Sequence, residues 1–295
     1  MSKQSVLTLK LTRSEEEKLY EAWRESETKT PPYARFQLKP ENCVITCYES
    51  GKTVFQGKDA EVYASPFMVN EITSDTENTD NDQILPQAGS DEVGTGDYFG
   101  PVCVCAAIIR KEDMDLIHKL GIRDSKQLKD KDILEAAPQL MKQIQYSLLI
   151  VDNPLYNRVH ETNNLNAIKA KLHNQAYINL KKKYQVPSFC IIDQFAIEPV
   201  YYHYLKNEKQ VVRGIHFETK AEDKYPSVAA ASVIARYAFL KYMEQMDEKY
   251  GMHFAMGGGA QADKSGIEFV SKYGKERLGE VAKLHFKNTE RIIAK

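Results

Sequence analysis

Adjacent carboxylates precede a glycine-rich turn in Ser90-Asp91-Glu92-Val93-Gly94-Thr95-Gly96-Asp97-Tyr98-Phe99-Gly100-Pro101, and an apolar run at residues 102–109 follows at once. Carboxylate oxygens are hard ligands of the kind Mg²⁺ prefers. Glycines let backbone N–H groups come close to a sugar-phosphate chain. Together they suit a divalent ion held beside a phosphodiester. On a strand, Asp91 and Glu92 point to opposite faces, so one of them is turned inward. An inward carboxylate is costly unless it is paired or holds a metal. Further acids stand in comparable places. Asp193 closes the apolar run Phe189-Cys190-Ile191-Ile192, Glu222 and Asp223 precede an alanine-rich helix, and Asp124 opens the turn Asp124-Ser125-Lys126. Singly, each has a structural reading, because helix N-termini favour acids and a turn aspartate caps its own backbone. Jointly, two strand-borne acidic sites and one at a helix start can converge on two metal ions, which activate a water and stabilise the leaving oxygen in phosphodiester cleavage.

Competing signatures fail on pattern. The chain has no Gly-x-x-x-x-Gly-Lys-Ser/Thr and no Gly-x-Ser-x-Gly. Gly94, Gly96 and Gly100 are followed by Pro101 and a β-like run rather than a helix, so they are not a dinucleotide fingerprint.

The elements that must hold these residues follow a β/α pattern. Strands are expected at residues 102–109, 146–151, 189–193 and 214–218. Helices are expected at 113–120, 130–142, 165–183, 227–250 (opened by Pro226), 264–272 and 276–283. Residues 71–82 are acidic and small polar, with no lysine or arginine, and read as a linker. Before it, a strand at 6–11, a helix from Thr12 or Ser14 to 25, strands at 33–38, 43–48 and 53–55, and a closing helix at 59–70 give the order β-α-β-β-β-α. Such a sheet carries its helices on one face. Lys10, Arg35, Lys39, Lys52 and Lys58 are available to line or rim the other, either as a nucleic-acid platform or as a solvated side.

Of 295 residues, 40 are Lys or Arg and 41 are Asp or Glu, giving a formal net charge of −1. No global basic field attracts a polyanion, so any nucleic-acid site is a local patch. The five cysteines are an odd count. Cys43 with Cys47, and Cys103 with Cys105, share faces of β-like runs and read as buried thiols in a reducing compartment. No apolar run approaches the roughly 18 residues of a membrane span. Met1-Ser2-Lys3-Gln4 begins a strand rather than a signal peptide. A soluble cytoplasmic protein is expected.

Asp91-Glu92-Val93-Gly94-x-Gly96 with Gly100-Pro101, Asp124-Ser125-Lys126, Ile192-Asp193, and Lys220-Ala221-Glu222 leading into Val228-Ala229-Ala230-Ala231-Ser232 together resemble the type 2 ribonucleases H, across residues 89–295. Threonine between the glycines, glutamate at 222 and the N-terminal extension resemble the ribonuclease HIII branch rather than ribonuclease HII. The resemblance implies the α/β class, with a ribonuclease H-like catalytic domain at 87–295 and an acidic linker at 67–86. Residues 1–66 would form a small α+β substrate-binding domain similar to TATA-binding protein. It implies cleavage of the RNA strand of RNA/DNA hybrids, leaving 3′-hydroxyl and 5′-phosphate ends, with two Mg²⁺ or Mn²⁺ ions when substrate is bound and no other cofactor.

Carried to this chain, the resemblance makes Asp91, Glu92, Asp193 and Glu222 the catalytic metal ligands, with Asp223 the alternative fourth acid. It gives Gly94, Thr95 and Gly96 contact with ribose 2′-hydroxyls and Lys126 contact with phosphate. Residues 164–174, with Lys169, Lys171 and His173, also resemble a ribonuclease HIII stretch, without an assigned chemical role. A monomer is expected. The alternatives are a ribonuclease HII-like enzyme incising at single embedded ribonucleotides, a DNA nuclease or resolvase of the same fold, and a nucleic-acid-binding module whose acids cap turns.

Overall fold

The computed structural model describes residues 5–64, 67, 84–122 and 128–294. Most of the expected linker, the end of the expected closing helix, and the Asp124-Ser125-Lys126 turn lie outside these residues. The chain divides into one unit of Met1–Thr79 with Phe195–Asn207 and another of Asp80–Gln194 with Glu208–Lys295.

In the first unit, strands β1 (Ser5–Lys10), β2 (Glu27–Thr28), β3 (Ala34–Leu38), β4 (Cys43–Tyr48) and β5 (Lys52–Gly57) form an antiparallel sheet of order β1-β5-β4-β3-β2. Helices α1 (Arg13–Trp23) and α2 (Ala60–Ala64) complete it. Thr12 starts α1 with a reciprocal cap: its side chain accepts from the Glu15 backbone, and Glu15 accepts from the Thr12 backbone at 2.7 Å. Period-2 alternation in β4 and β5 buries Ile45 and Phe55 against Leu19 and Trp23 of α1. Ala196 and Val200 enter the same core, and the Tyr204 ring lies 5.4 Å from that of Trp23. The opposite face of the sheet is open, with exposed Val6, Thr8, Lys10, Lys52 and Gln56. Arg35 does not join it: a register shift after Ala34 turns its guanidinium to Glu16 of α1 and to the Glu49 carbonyl. The two-residue β2 was not expected from sequence.

The second unit has the sheet order β10-β9-β6-β7-β8, built from β6 (Gln87–Val93), β7 (Val102–Ile109), β8 (Gln145–Val151), β9 (Cys190–Asp193) and β10 (Ile215–Glu218). β9 and β10 run parallel to β6, β7 pairs antiparallel with β6, and β8 pairs antiparallel with β7. The helices are α3 (Met114–Lys119), α4 (Asp130–Gln143), α5 (Asn153–His160), α6 (Leu165–Lys183), α7 (Glu198–Tyr204, which clusters with the first unit), α8 (Pro226–Tyr250), α9 (Ala260–Tyr273) and α10 (Lys287–Ile293). β7 is buried along its length. Helices cover both sides of the sheet: Gly89 of β6 touches α8, whereas Ser90 hydrogen-bonds His173 of α6. Proline at the first position and three successive buried alanines let α8 begin and lie close to β6.

The expected helix at 276–283 is instead a 3-10 turn at Lys275–Glu280, shortened around Gly279. α5, α7 and α10 were not anticipated; they are short, and prolines near the starts of α5 and α7 masked their pattern. All five cysteines are free and buried, and burial pushes the Cys103 thiol up to about 12. Among the described residues no helix is long and apolar enough to cross a membrane.

Candidate active site

Strand alternation sends Asp91 and Glu92 to opposite sides of β6, and each meets a helix. Asp91 is 9% exposed, bonds the Ser232 hydroxyl of α8, and accepts from the Glu92 backbone at 2.7 Å. Glu92 turns to α6, where Lys169 and His173 hold it. Both acids are therefore inward, because the strand is covered on both faces. Asp193 ends β9 and accepts from the Ala221 N–H at 2.8 Å. That N–H opens a 3-10 turn, Ala221–Asp223, which follows Lys220 in the left-handed region at φ 54°. The turn brings Glu222 into hydrogen-bond contact with Asp193 and leaves Asp223 exposed. A cleft of about 420 Å³ is lined by Asp91, Glu92, Gly94, Thr95, Glu222 and Arg236, among others.

The four acids act on one another. Burial, then the charges of Glu92 and Asp193, push the Asp91 carboxyl well above its ordinary range. Burial and Glu222 raise Asp193 to about 6, against the Ala221 N–H. Burial works upward on Glu92 too, but the Lys169 ammonium and His173 outweigh it and hold the carboxyl at about 2. Among the described residues no three of His, Cys, Asp or Glu already form a metal cage. The donor set still fits a hard divalent ion: it is all carboxylate oxygen, and its mutual repulsion is what such a charge relieves.

Backbone geometry fixes the adjoining turn. Gly94 has φ 95°, and a Cβ there would stand 2.2 Å from the Pro101 carbonyl oxygen. A Cβ at Gly96 would meet nothing within 4 Å, so its backbone is open to a ligand. The loop behind is anchored from below. The Gly257 N–H donates to Asp97 Oδ1 at 2.6 Å, and the Gly100 N–H donates to the Val281 carbonyl at 3.1 Å. Lys283, fully buried, donates its Nζ to the carbonyls of Asp97 (2.8 Å) and Gly100 (2.6 Å). Sequence reasoning missed this strut, because a lysine near a helix end ordinarily reads as solvated. It also missed Arg236, which forks onto Asp130 at 2.9 and 3.0 Å beside the cleft.

Burial pushes the Lys283 ammonium down to about 7, against Asp97 and Cys103. Above that pH the folded amine is neutral, while the unfolded lysine stays protonated to about 10.4. Between the two values the unfolded chain binds more protons, so this group's contribution to stability rises with pH, and below about 7 it is flat at its minimum. Lys283→Met should lose that rise. It should also leave the Asp97 carbonyl without this donor, at about 1–3 kcal/mol. Thermal melts at pH 6.5 and 9.5 check this; parallel pH slopes in variant and wild type would remove the buried amine from the account.

Residues 88–289 match the family model described as Ribonuclease HII, and residues 6–80 match one described as a domain of unknown function (DUF3378). The chain is 41% identical over 280 residues to a ribonuclease HIII of Bacillus cereus, covering 90% of each. It is 39% identical over 298 residues to that of Exiguobacterium sibiricum, covering 98% of this chain and 96% of the relative. Among solved structures, Bst-RNase HIII in complex with Mn²⁺ aligns at a TM-score of 0.72 with 36% identity, covering 98% of each chain. Aquifex aeolicus RNase H3, at 22% identity and a TM-score of 0.57 over 95% of this chain and 100% of that one, shares the fold. The second unit thus has the ribonuclease H-like α/β fold, and the first is the small sheet domain that accompanies it. With relatives aligned along nearly its whole length, the chain belongs to the ribonuclease HIII family, endonucleases of the ribonuclease H type that depend on Mg²⁺ or Mn²⁺.

Proposed function

We propose that the protein hydrolyses the RNA strand of RNA/DNA hybrids, leaving 3′-hydroxyl and 5′-phosphate ends, with Asp91, Glu92, Asp193 and Glu222 as ligands of two divalent ions when substrate is bound. The observation that supports this is the single cleft in which acids from β6 and from the 3-10 turn flank Gly94 and Thr95. Bound ions supply the charge that lowers the pKa of an attacking water and steadies the ribose 3′-oxygen. The chain's own groups aim the carboxylates: the Glu92 N–H and Ser232 brace Asp91, and the Ala221 N–H braces Asp193. Gly94, Thr95 and Gly96 present backbone to ribose, whose 2′-hydroxyl both donates and accepts. Lys126 is given its phosphate contact on resemblance alone, since it lies outside the described residues.

The small unit supplies affinity through its open sheet face. A groove of about 530 Å³ there is lined by Thr8, Tyr33, Tyr48, Lys52 and Val54, among others, and Tyr33 is 82% exposed. Lysine and tyrosine on an open surface suit a sugar-phosphate chain. We assign residues 1–66 to substrate binding, 67–86 to the linker and 87–295 to catalysis, apart from Phe195–Asn207, which belongs with the small unit, in a monomer acting in the cytoplasm.

One experiment tests the reading. An RNA/DNA hybrid, a duplex DNA and a DNA with one embedded ribonucleotide are each incubated with Mg²⁺, Mn²⁺ or EDTA. The hybrid should be cut only with metal, the lone ribonucleotide weakly and the duplex not at all. Strong incision at the lone ribonucleotide would point to ribonuclease HII-like specificity, and cutting of duplex DNA to a DNA nuclease. In the same series, Lys52→Glu should weaken hybrid binding and reduce its salt slope by about 1; unchanged binding would take the open face out of the proposal.

A further inference from the structure

Glu92 is gripped from one face of α6. Lys169 and His173 are four residues apart and so lie one above the other on that helix. The Lys169 ammonium contacts Glu92 Oε1, and His173 Nε2 lies 2.8 Å from Oε2. The other ring nitrogen of His173 lies 2.8 Å from the Ser90 hydroxyl. Side-chain exposure is 11% for Lys169, 11% for Glu92 and 0% for His173, so this cluster is nearly dry. Both oxygens of Glu92 are thus engaged by the protein itself. A carboxylate keeps further lone pairs. An ion arriving on them, however, would stand within a few ångströms of a buried positive charge, where repulsion is poorly screened.

On the reading of Glu92 as a metal ligand, we propose that Lys169 is a resident counter-charge that competes with the divalent ion for Glu92. In the metal-free protein its ammonium neutralises the inward carboxylate and keeps it in place; a buried carboxylate without such a partner is strongly destabilising. When an ion is held at Glu92, the ammonium withdraws. The long, flexible lysine stem permits this, whereas the imidazole, fixed between Ser90 and Glu92, stays and orients the carboxylate. Lys169 therefore sets the divalent-ion concentration at which Glu92 is loaded. It is a positioning residue, acting through Glu92 rather than on the nucleic acid.

Calorimetric titration of the full-length protein with Mn²⁺ alone, without nucleic acid, tests this. Lys169→Gln keeps a hydrogen-bond donor and removes the charge, and it should bind Mn²⁺ about tenfold or more tightly than the wild type. Lys169→Arg keeps the charge and should bind as the wild type does. Lys169→Met, which also loses the hydrogen bond, should shift affinity in the same direction as the glutamine variant. In EDTA the glutamine variant should melt below the wild type, and saturating Mn²⁺ should close the gap. Unchanged or weaker Mn²⁺ binding by both neutral variants overturns the proposal. Glu92→Gln separates the two layers of the argument: if it leaves Mn²⁺ binding untouched, Glu92 is no ligand and both readings fall. If it weakens binding while the neutral lysine variants change nothing, only the competition is lost.

Discussion

Asp91→Asn should abolish hybrid cleavage, by at least about 10³-fold in kcat, while hybrid binding persists. A loss of that size corresponds to about 4 kcal/mol of transition-state stabilisation, the scale expected when a ligand of a catalytic ion is removed. The amide is nearly isosteric and can keep its bonds to Ser232 and to the Glu92 N–H, so the fold should survive. Stability should even rise in EDTA. The Asp91 carboxyl is held well above its ordinary range by burial and by Glu92 and Asp193. Such a group is least unfavourable below the unfolded value of about 3.9, and its cost grows as pH rises through the folded value. Asparagine removes that cost. The wild type therefore gives up stability for a crowded set of acids, as functional sites commonly do. An Asp91→Asn protein that cuts hybrid within tenfold of wild type would refute the assignment.

Gly89→Ala should be the most damaging single methyl in the sheet. A Cβ at this position would stand 2.4 Å from the Val228 nitrogen, 2.5 Å from Ser227 Oγ and 2.7 Å from the Ser227 carbonyl carbon. Two of these three are backbone at the first turn of α8, so no flexible side chain can yield. Ser227 is itself fixed, donating to Gln87 Oε1 at 2.8 Å. The helix must lift from β6, at about 3 kcal/mol or more. That is roughly 6–12 °C in melting temperature for a domain of this size. Because α8 carries Ser232, the partner of Asp91, activity should fall with stability rather than after it. Urea melts giving a change under about 1 kcal/mol would show that the helix adapts.

The legible and illegible parts of the site differ in a physical way. Local rules make Asp91, Glu92, Asp193, the Glu222-Asp223 pair and Asp124 conspicuous, as acids within or closing an apolar strand, ahead of Pro226 or opening a turn. The family resemblance narrows them to Asp91, Glu92, Asp193 and Glu222. Alternation along β6 told that the first two diverge, and helix periodicity told where α6 and α8 run. What local rules do not carry is the identity of a partner across the sheet. Sequence marks Lys169 and His173 only within the stretch 164–174, by resemblance and without a role; the packing of α6 over β6 is what reveals that both reach Glu92. Lys283 and Arg236 were silent for the same reason. A lysine that ties down two carbonyls looks, in sequence, like any lysine in water. Likewise, no pattern of residue types announces the left-handed backbone at Lys220, after which Glu222 meets Asp193 while Asp223 is exposed.

The small unit is stitched from two stretches far apart in the chain, Met1–Thr79 and Phe195–Asn207, and its core includes Ala196 and Val200. The part translated first is therefore finished late. About 130 residues separate the end of the first stretch from the end of the second. At about 5–20 residues per second, its sheet waits roughly 6–26 s on the ribosome for its last apolar cover. During that interval the nascent chain carries an incomplete apolar surface around Trp23, and transiently exposed surface of that kind is what makes a partly folded chain prone to associate.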